Sequence, residues 1–229
     1  MSPNTGCDPP ARDADERALL AGARALGVAL QPEQARSMLR LLAELAAWNR
    51  AYSLTAVTQP AAMVTHHLLD SIAASPDLAG ERIADVGTGA GFPGLPLAIL
   101  HPGRRYTLID SVAKKVRFVA HCARVLGLAN VTAVHARAQA LAGLGPFDTV
   151  IARAFAALPE LLRTVAPLCG AGTRVVALKG RYPGAEIAAL PPGWALEGSR
   201  EVVVPGLDAE RHILRLVLSP GGAAAAPGA

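Results

Sequence analysis

The stretch Ile83-Ala84-Asp85-Val86-Gly87-Thr88-Gly89-Ala90-Gly91-Phe92-Pro93-Gly94 joins a short apolar run to a turn rich in glycine. The apolar run predicts a short buried strand. Pro93 predicts the start of a helix, because proline in a first helical turn gives up only a donor that has no partner there. Glycines at alternate positions let the backbone adopt positive φ and approach a bound molecule closely. The stretch therefore indicates a strand, a ligand-binding turn and a helix.

The spacing within this turn distinguishes two classes of cofactor. A dinucleotide-binding turn has the spacing Gly-x-Gly-x-x-Gly, whose glycines admit a pyrophosphate at the helix N-terminus. Here Phe92 stands in place of the last glycine, and Asp85 stands two residues before Gly87. A carboxylate there suits a ligand with a cationic amino acid part, and Asp-x-Gly-x-Gly resembles the first motif of the S-adenosylmethionine (AdoMet) methyltransferases. A tight strand-to-helix connection without a ligand is the alternative.

A second acid follows the next apolar run, Tyr106–Asp110, and lies 19 positions after Gly91. In a βαβ unit the end of the second strand lies beside the glycine turn, so Asp110 is a candidate to bind the ribose hydroxyls of an adenosine cofactor. The alternative is an N-cap of the following helix. The order of strand, turn, helix, strand and acid favours the ribose interpretation.

Strand and helix patterns alternate through the rest of the chain and predict an α/β domain with a doubly wound, mostly parallel sheet. The last two extended runs have no long helix between them and predict an antiparallel hairpin at the end of the sheet. Strands are predicted over Arg82–Val86, Tyr106–Asp110, Val131–His135, Asp148–Ala152, Arg174–Lys179, Gly198–Val204 and His212–Leu218, and helices over Gly94–Leu100, Val112–Leu126 and Leu158–Leu168.

Apolar residues at helical spacing before this region predict an N-terminal helical extension. Its helices run from Glu16 to about Val28, from Pro32 to about Asn49, and from near Pro60 to about Ser75. The predicted units are a flexible N-terminus over residues 1–15, the extension over 16–78, the α/β domain over 79–219 and a disordered tail over 220–229.

Composition narrows the class of protein further. With 229 residues and 52% hydrophobic content the chain can bury its own core, and a net charge of +4 permits an anionic partner such as RNA. No apolar run approaches the ~20 residues that span a membrane, so we expect a cytoplasmic protein with no membrane partner. Three cysteines without C-x-x-C spacing indicate neither disulfides nor zinc. His66, His67 and Asp70 are interpreted as exposed or partly buried polar positions rather than metal ligands.

Ligands of an open α/β sheet bind beyond the carboxyl ends of its strands, so the side chains there are the candidates. Gln139, after the third predicted α/β strand, is expected near the adenine, with a surface glutamine as the alternative. Arg153, after the fourth, must reach solvent through the cleft or meet an anion. Lys179, one of three lysines, ends the fifth, and a lysine that extends to solvent is the alternative.

Motifs of several other chemistries are missing from these positions. Ala152-Arg153-Ala154-Phe155 does not match the D/N-P-P-Y/F pattern that goes with methylation of an adenine amino group. No cysteine nucleophile for methylation at carbon five of a pyrimidine ends the fourth strand. No tyrosine has a lysine four positions on, as a short-chain reductase requires. Because basic side chains face the predicted cleft, we expect an anionic acceptor that is already nucleophilic.

From about residue 20 to residue 218 the chain resembles the bacterial 16S ribosomal RNA methyltransferase family RsmG, also called GidB. The resemblance rests on Trp48-Asn49-Arg50-Ala51-Tyr52-Ser53-Leu54-Thr55, His67-Leu68-Leu69-Asp70-Ser71, the glycine turn, Leu108-Ile109-Asp110-Ser111, Lys114-Lys115-Val116-Arg117-Phe118, Arg153-Ala154-Phe155-Ala156, Leu178-Lys179-Gly180 and Glu210-Arg211-His212. The family commonly has asparagine where Ser53 stands and an acid where Gln139 stands.

This resemblance implies a Rossmann-like class I AdoMet-dependent methyltransferase that methylates N7 of a guanine in the 530 loop of 16S rRNA, at position 527 in rRNA numbering. It implies RNA contacts from Lys114, Arg137 and Lys179, and catalytic roles for Arg153, Lys179 and Arg137. The cofactor-binding residues to which it points are Asp85, Gly87, Gly89, Phe92, Asp110, Ala138, Gln139 and Arg153. The implied partner is 16S rRNA or the small ribosomal subunit, bound by a monomer without a metal.

The chemistry agrees with these residues, because guanine N7 has a free lone pair and its attack on a methyl group needs no general base. The work of the enzyme is then in-line positioning and charge stabilisation, without a covalent enzyme intermediate. Three alternatives stay open. They are a nicotinamide-dependent reductase on the same fold, an RNA-binding assembly factor without catalysis, and an AdoMet enzyme with another acceptor.

Overall fold

A computed structural model describes residues 9–137, 140–141 and 143–218 of the chain, with side chains from residue 13 onward. The helices are α1 (Pro9–Ala25), α2 (Pro32–Tyr52), α3 (Pro60–Met63), α4 (Asp70–Ile72), α5 (Gly94–Leu100), α6 (Ala113–Val125), α7 (Leu158–Val165) and α8 (Gly184–Ala188). The strands are β1 (Arg82–Val86), β2 (Arg105–Asp110), β3 (Val131–His135), β4 (Thr149–Arg153), β5 (Arg174–Lys179), β6 (Trp194–Glu201) and β7 (His212–Leu218). A π-helical segment, Val64–Leu69, joins α3 to α4.

The seven strands form one sheet in the order β3-β2-β1-β4-β5-β7-β6. The first five pair in parallel, whereas β7 runs antiparallel to both β5 and β6. The predicted doubly wound sheet with a final antiparallel hairpin is thus confirmed. The direction of winding reverses between β1 and β4, and a crevice at the carboxyl ends of such strands is where open α/β sheets bind ligands. We call these carboxyl ends the carboxyl edge of the sheet.

Apolar layers cover both faces of the sheet. Strand residues alternate between the faces, as Ile83 and Ala84 of β1 do. One face packs against α1, α2, α4, α5 and α6 through residues that include Leu41, Leu68 and Phe118. The other packs against α7 and the segments around it. The N-terminal helices are therefore part of the same core as the sheet, and they reach the carboxyl edge from one side.

Several element boundaries differ from the prediction. The first helix begins at Pro9, so residues 9–15 are helical and not part of a flexible end. β6 begins at Trp194, earlier than predicted. The prediction missed its first residues because an irregularity in the pairing between Leu196 and Gly198 interrupts the alternation that marks a strand. Residues 1–8 and the predicted tail over 220–229 lie outside the described residues. In the part of the chain that the structure describes, no helix is both long and apolar enough to cross a membrane.

Candidate functional site

The turn between β1 and α5 has the conformation that its glycines predicted. Gly87, Gly89 and Gly91 have φ values of 71°, 61° and 86°. The backbone N–H groups of Gly87 and Thr88 donate to the carbonyl of Ile109 at 2.9 and 3.1 Å, which fixes the turn against the end of β2. A side chain with a Cβ atom would be strained at each of the three glycines, because L-residues rarely adopt positive φ. We call Gly87–Gly94 the glycine turn.

Asp85 fixes the glycine turn through two hydrogen bonds. Its Oδ2 accepts hydrogen bonds from the Thr88 hydroxyl at 2.6 Å and from the Gly94 N–H at 2.8 Å. Its Oδ1 is buried and has no hydrogen-bond partner among the described residues. Burial raises the pKa of the Asp85 carboxyl to about 6, against the opposing effect of the hydrogen bonds from Thr88 and Gly94. An orphaned carboxylate oxygen of this kind favours a nearby cation or a polar group.

Asp110 closes the other side of the glycine turn. Its Oδ2 accepts from the Gly89 N–H at 2.9 Å, its Oδ1 accepts from the Val112 N–H at 2.8 Å, and Lys115 Nζ lies 3.8 Å from Oδ2. The alternative that Asp110 is the N-cap of α6 is wrong, because the N-cap is Val112, although Asp110 accepts from its N–H. Each carboxylate oxygen has a second lone pair. Asp110 could thus accept a pair of hydroxyl groups.

The Arg-Ala-Phe-Ala motif covers the turn from the end of β4. A Cβ atom on Gly87 would lie 3.1 Å from a ring carbon of Phe155, so these two residues are in close approach. Ala154 has a φ of 51°, and only one other non-glycine residue in the described part of the chain has a positive φ. This strained backbone redirects the chain directly after Arg153.

Arg153 is bound on the protein side by a buried carboxylate. Its Nη1 donates to Asp70 Oδ2 and to the carbonyl of His66, both at 3.0 Å. Asp70 Oδ1 accepts from Arg211 Nε at 2.7 Å. We call Asp70, Arg153 and Arg211 the Asp70 cluster. One carboxylate faces two guanidinium groups, whose side chains are 20% and 23% exposed, so the cluster keeps an excess positive charge at the carboxyl edge.

Phe92 links this cluster to the glycine turn. Its ring stacks on His67 with centroids 4.8 Å apart, and Arg153 Cζ lies 5.8 Å from the Phe92 centroid. Burial, with a smaller contribution from Arg153, lowers the pKa of His67 to about 4, so its ring is neutral near pH 7. The prediction that His67 and Asp70 are exposed or partly buried is wrong. His67 lies in the π-helical segment and Asp70 begins α4, and both side chains are buried in the packed interior of the protein.

Lys179 also has a partner. Its Nζ donates to the carbonyl of Ala156 at 3.1 Å and to Glu186 Oε2 at 2.9 Å. Glu186 Oε2 also accepts from the Leu158 N–H at 2.6 Å. Burial opposes the ionisation of Glu186, but the hydrogen bonds from Lys179 and Leu158 hold its pKa below its ordinary value. The side chain of Lys179 is mostly buried, so it does not simply extend to solvent.

Four predicted site residues remain: Lys114, Arg137, Ala138 and Gln139. The first two follow β2 and β3, on the opposite side of the carboxyl edge from Lys179. Lys114 Nζ donates to the carbonyl of Tyr52 at 2.9 Å and so ties α6 to the end of α2. Arg137 is exposed after β3. Ala138 and Gln139 lie outside the described residues, so their predicted contact with the adenine stays a prediction.

The Trp-Asn-Arg-Ala-Tyr-Ser-Leu-Thr motif joins the helical extension to this site. The Asn49 side chain bonds both backbone groups of Thr55, at 2.8 and 3.0 Å. The Thr55 hydroxyl lies 3.0 Å from His67 Nε2, and His67 stacks on Phe92. Sequence reasoning missed this chain of contacts and also Arg211, although the Glu-Arg-His and His-Leu-Leu-Asp motifs were a signal for them.

The sheet order, with an Asp-x-Gly-x-Gly turn after β1 and an acid at the end of β2, defines the Rossmann-like class I AdoMet methyltransferase fold. Two solved structures share this fold. A mutant of MtNAS in complex with S-adenosylmethionine gives a TM-score of 0.53 at 16% identity and covers 92% of this chain and 90% of that one. A structure on the conversion of a disulfide bond into a thioacetal group during echinomycin biosynthesis gives 0.54 at 21% identity, with 66% and 81% covered.

Closer relatives identify the family. The GidB family model, described as rRNA small subunit methyltransferase G, matches residues 34–214. Proteins named ribosomal RNA small subunit methyltransferase G are similar to this chain. The one from Methylococcus capsulatus is 48% identical to it, over 85% of this chain and 95% of the relative. The one from Erwinia tasmaniensis is 45% identical, over 82% of this chain and 92% of the relative. The chain belongs to the GidB family of AdoMet-dependent rRNA methyltransferases, as its motifs predicted. A nicotinamide-dependent reductase does not fit this family.

Proposed function

We propose that this protein transfers a methyl group from AdoMet to N7 of a guanine in the 530 loop of 16S rRNA, at position 527 in rRNA numbering. The proposal rests on one observation: the glycine turn, with Asp85 and Asp110 beside it, lies at the same edge of the sheet as basic side chains. Arg153 and Lys179 end the adjacent parallel strands β4 and β5, in the register Arg153 to Leu178. The family to which the chain belongs supplies the substrate class.

The residues around the glycine turn fit the cofactor. The orphaned Oδ1 of buried Asp85 would be compensated by the ammonium group of a methionine moiety, and the two free acceptor positions on Asp110 suit the vicinal hydroxyls of a ribose. A Cβ on Gly89 would meet only the carbonyl of Gly87, at 4.0 Å, so the space above the turn is open. Bound there, AdoMet supplies a methyl group activated by a sulfonium centre.

Other residues proposed for the cofactor stand around this turn. Phe92 and Arg153 would bound the methionine side, since the Phe92 ring belongs to the glycine turn and lies 5.8 Å from Arg153 Cζ. Gly87 would let the backbone approach the cofactor under Phe155. Ala138 and Gln139 would contact the adenine.

The acceptor needs orientation more than activation. Guanine N7 carries a lone pair, so the proposal requires neither a general base nor a covalent enzyme intermediate. The two thiols in the described part of the chain fit poorly with a nucleophilic role, since burial raises the pKa of Cys169 to about 12 and Cys122 is buried as well. Arg153 and Lys179 would orient the guanine through its O6 or a neighbouring phosphate, because both side chains are suitable donors to such oxygens.

Lys114 and Arg137 would bind RNA phosphates on the other side of the edge. Affinity for the RNA should then fall as the salt concentration rises, since each neutralised phosphate releases counterions. In the described part of the chain no group of three or more His, Cys, Asp or Glu side chains could hold a metal ion. The proposal also includes a monomer that acts in the cytoplasm.

Mapping N7-methylguanosine in 16S rRNA from cells with and without the gene tests the site of methylation. Loss of the modification at the proposed guanine on deletion, and its return with the wild-type gene, is the expected result. A modification that persists in the deletion strain would overturn the proposal. AdoMet binding without methylation of any small-subunit RNA would favour the non-catalytic assembly factor instead.

Lys179→Ala tests the proposed orientation of the acceptor. We expect turnover on small ribosomal subunits to fall on the order of 100-fold, the cost of losing a positioning contact, with an unchanged Kd for AdoMet in calorimetry. Arg36→Ala is the control, because Arg36 pairs with Glu16 and Glu33 on the exposed surface of the helical extension. Unchanged turnover by Lys179→Ala would remove Lys179 from the mechanism.

A further inference from the structure

Tyr182, in the connection that follows β5, has a large aromatic ring on the surface of the protein. The residue is 51% exposed, although aromatic rings contribute most when they are covered. Its ring meets that of His212 in an edge-to-face arrangement, with centroids 5.6 Å apart and planes at 69°. His212 is mostly buried, so Tyr182 rests against a fixed partner and keeps much of its own surface free.

The position of this pair relates it to the site already described. His212 begins β7 and is the register partner of Lys179 at the end of β5, and β5 in turn pairs with β4, which ends in Arg153. Neighbouring strands lie about 4.8 Å apart, so His212 lies roughly 10 Å across the carboxyl edge from Arg153. One RNA strand can therefore reach both Arg153 and the pair of Tyr182 and His212.

The charges around the pair favour a polyanion. Arg153, Lys179, Arg181 and Arg211 lie at this part of the edge, and the acids near them are Asp70, Glu186, Glu210 and Glu201, the register partner of His212 on β6. Asp70 and Glu186 are both engaged by the cations that they face. Arg181 is exposed and forms no ion pair within the described ranges. Phosphates beside the ring would therefore meet cations.

A target guanine whose N7 is to be methylated inside this crevice must leave the stack of its neighbours. Sequence-specific recognition of RNA mostly uses such unstacked bases, and aromatic side chains replace the lost stacking partner. An exposed aromatic ring next to cations is the arrangement that proteins use to bind single-stranded nucleic acid.

We propose that Tyr182, supported edge-on by His212, is a platform on which an unpaired base of the rRNA stacks, next to the target guanine along the strand. This inference rests on the proposed function, because it takes rRNA as the ligand. The platform contributes affinity for the RNA and plays no part in the transfer itself. It therefore affects KM for the RNA and leaves kcat and cofactor affinity alone.

Tyr182→Leu and Tyr182→Phe separate stacking from simple apolar contact. Leucine keeps an apolar side chain but removes the π-face, whereas phenylalanine keeps the ring. Both residues are compatible with an exposed position, so both variants should fold. The substrate is small ribosomal subunits, or 16S rRNA, purified from cells that lack the gene, and RNA affinity is measured by filter binding in the same samples.

We expect Tyr182→Leu to raise KM and Kd for the RNA by about tenfold, which corresponds to about 1.4 kcal/mol and lies within the range for loss of one stacked base. Tyr182→Phe should match the wild type. Equal RNA affinity and KM in wild type and Tyr182→Leu would overturn the platform. If the wild type methylates no rRNA, the proposed function fails, and the filter-binding comparison still decides the platform by the same criterion.

Discussion

Asp70 and Asp77 lie in one short helical connection, and each binds two arginines from the far half of the sheet. Both are almost fully buried, with 4% and 2% of their surface exposed. Asp70 binds Arg153 and Arg211, whereas Asp77 binds Arg200 and Arg215. We call the second group, Asp77 with Arg200 and Arg215, the Asp77 cluster.

The two clusters differ in what their arginines can reach. Arg200 and Arg215 lie within β6 and β7, where Arg200 also donates to the carbonyl of Ala73 and Arg215 lies 3.5 Å from Glu197. Arg153 ends β4 and approaches the Phe92 ring of the glycine turn. The same ion-pair chemistry therefore joins the sheet to its helices in one place and, under the proposed function, holds cations for a ligand in the other.

The largest expected effect comes from neutralising each acid in turn. Asp70→Asn and Asp77→Asn both leave partly buried arginines without their counter-charge, so each should lower the free energy of unfolding by about 3–5 kcal/mol. Asp70→Asn should also lower turnover on the order of 100-fold, because Arg153 is no longer held in position. Asp77→Asn should leave the turnover of the folded protein unchanged.

Urea unfolding and initial rates of methylation, with the folded fraction set by circular dichroism, distinguish these outcomes. If both variants lost turnover equally once corrected for the folded fraction, the functional difference between the clusters would be refuted. Equal stability with different turnover would instead support it.

The second expected effect is a dependence of stability on pH. Near the carboxyl edge, Asp85 and His67 are buried titratable groups that form no ion pair among the described residues. The pKa of Asp85 is raised from 3.8 to about 6, so the folded state binds more protons between these values and the free energy of unfolding falls as pH rises from about 4 to about 6. The pKa of His67 is lowered from 6.5 to about 4, so the free energy of unfolding rises from about pH 4 to about 6.5. Each change is up to about 3 kcal/mol, and the two oppose each other.

The protein should therefore show a shallower stability profile between pH about 4 and about 6.5 than either single variant, with His101, whose pKa is also lowered by burial, adding to the rise. Asp85→Asn should leave the rise due to His67, and His67→Gln should leave the fall due to Asp85. Chemical unfolding across this range measures both slopes. Parallel profiles for the wild type and both variants would show that neither group titrates as its burial requires.

The smallest expected effect compares the two non-glycine residues that have a positive φ in the described part of the chain. Ala154 (φ 51°) follows Arg153 at the end of β4, and Ser53 (φ 49°) is the C-cap of α2. Glycine should relieve strain at both, with a net gain of about 0.5 kcal/mol in the free energy of unfolding after the entropy of the unfolded chain is counted. Ser53→Gly should leave turnover unchanged, whereas Ala154→Gly should lower it by loosening the backbone next to Arg153.

Thermal unfolding and steady-state kinetics on the two glycine variants check this pair. A loss of turnover in Ser53→Gly equal to that in Ala154→Gly would show that strain at the edge has no special role. The strain at Ser53 also gives a physical reason for the asparagine that the family commonly has there, because asparagine adopts this conformation more readily than serine.

The sequence predicted the strands of the parallel sheet well, because the central ones are buried on both faces and read as unbroken apolar runs between turn residues. The bounds of β1, β3 and β5 agree with those of the structure. β6 was placed too late in the chain, since it is half-buried and its pairing is irregular. The places of Asp85 and Asp110 followed from topology alone, as acids at the carboxyl ends of neighbouring strands.

The Asp70 cluster could not be predicted in this way. Asp70 and Arg211 are 141 residues apart in the chain, and their contact depends on how the helical extension packs on the sheet. Lys179 was identified by its strand end, but its partner Glu186 belongs to α8, a short helix that no periodicity marks. A six-residue π-helical segment is likewise too short to be read from apolar spacing.

That segment, Val64–Leu69, sets the rotation between His67 and Asp70. The N–H of Asp70 donates to the carbonyl of Thr65, five residues back, where an α-helix would use the residue four back. One residue more or fewer would turn everything after it by about 100° around the helix axis and carry Asp70 away from its arginines. Insertions or deletions in this stretch should therefore be more damaging than conservative exchanges of its buried side chains.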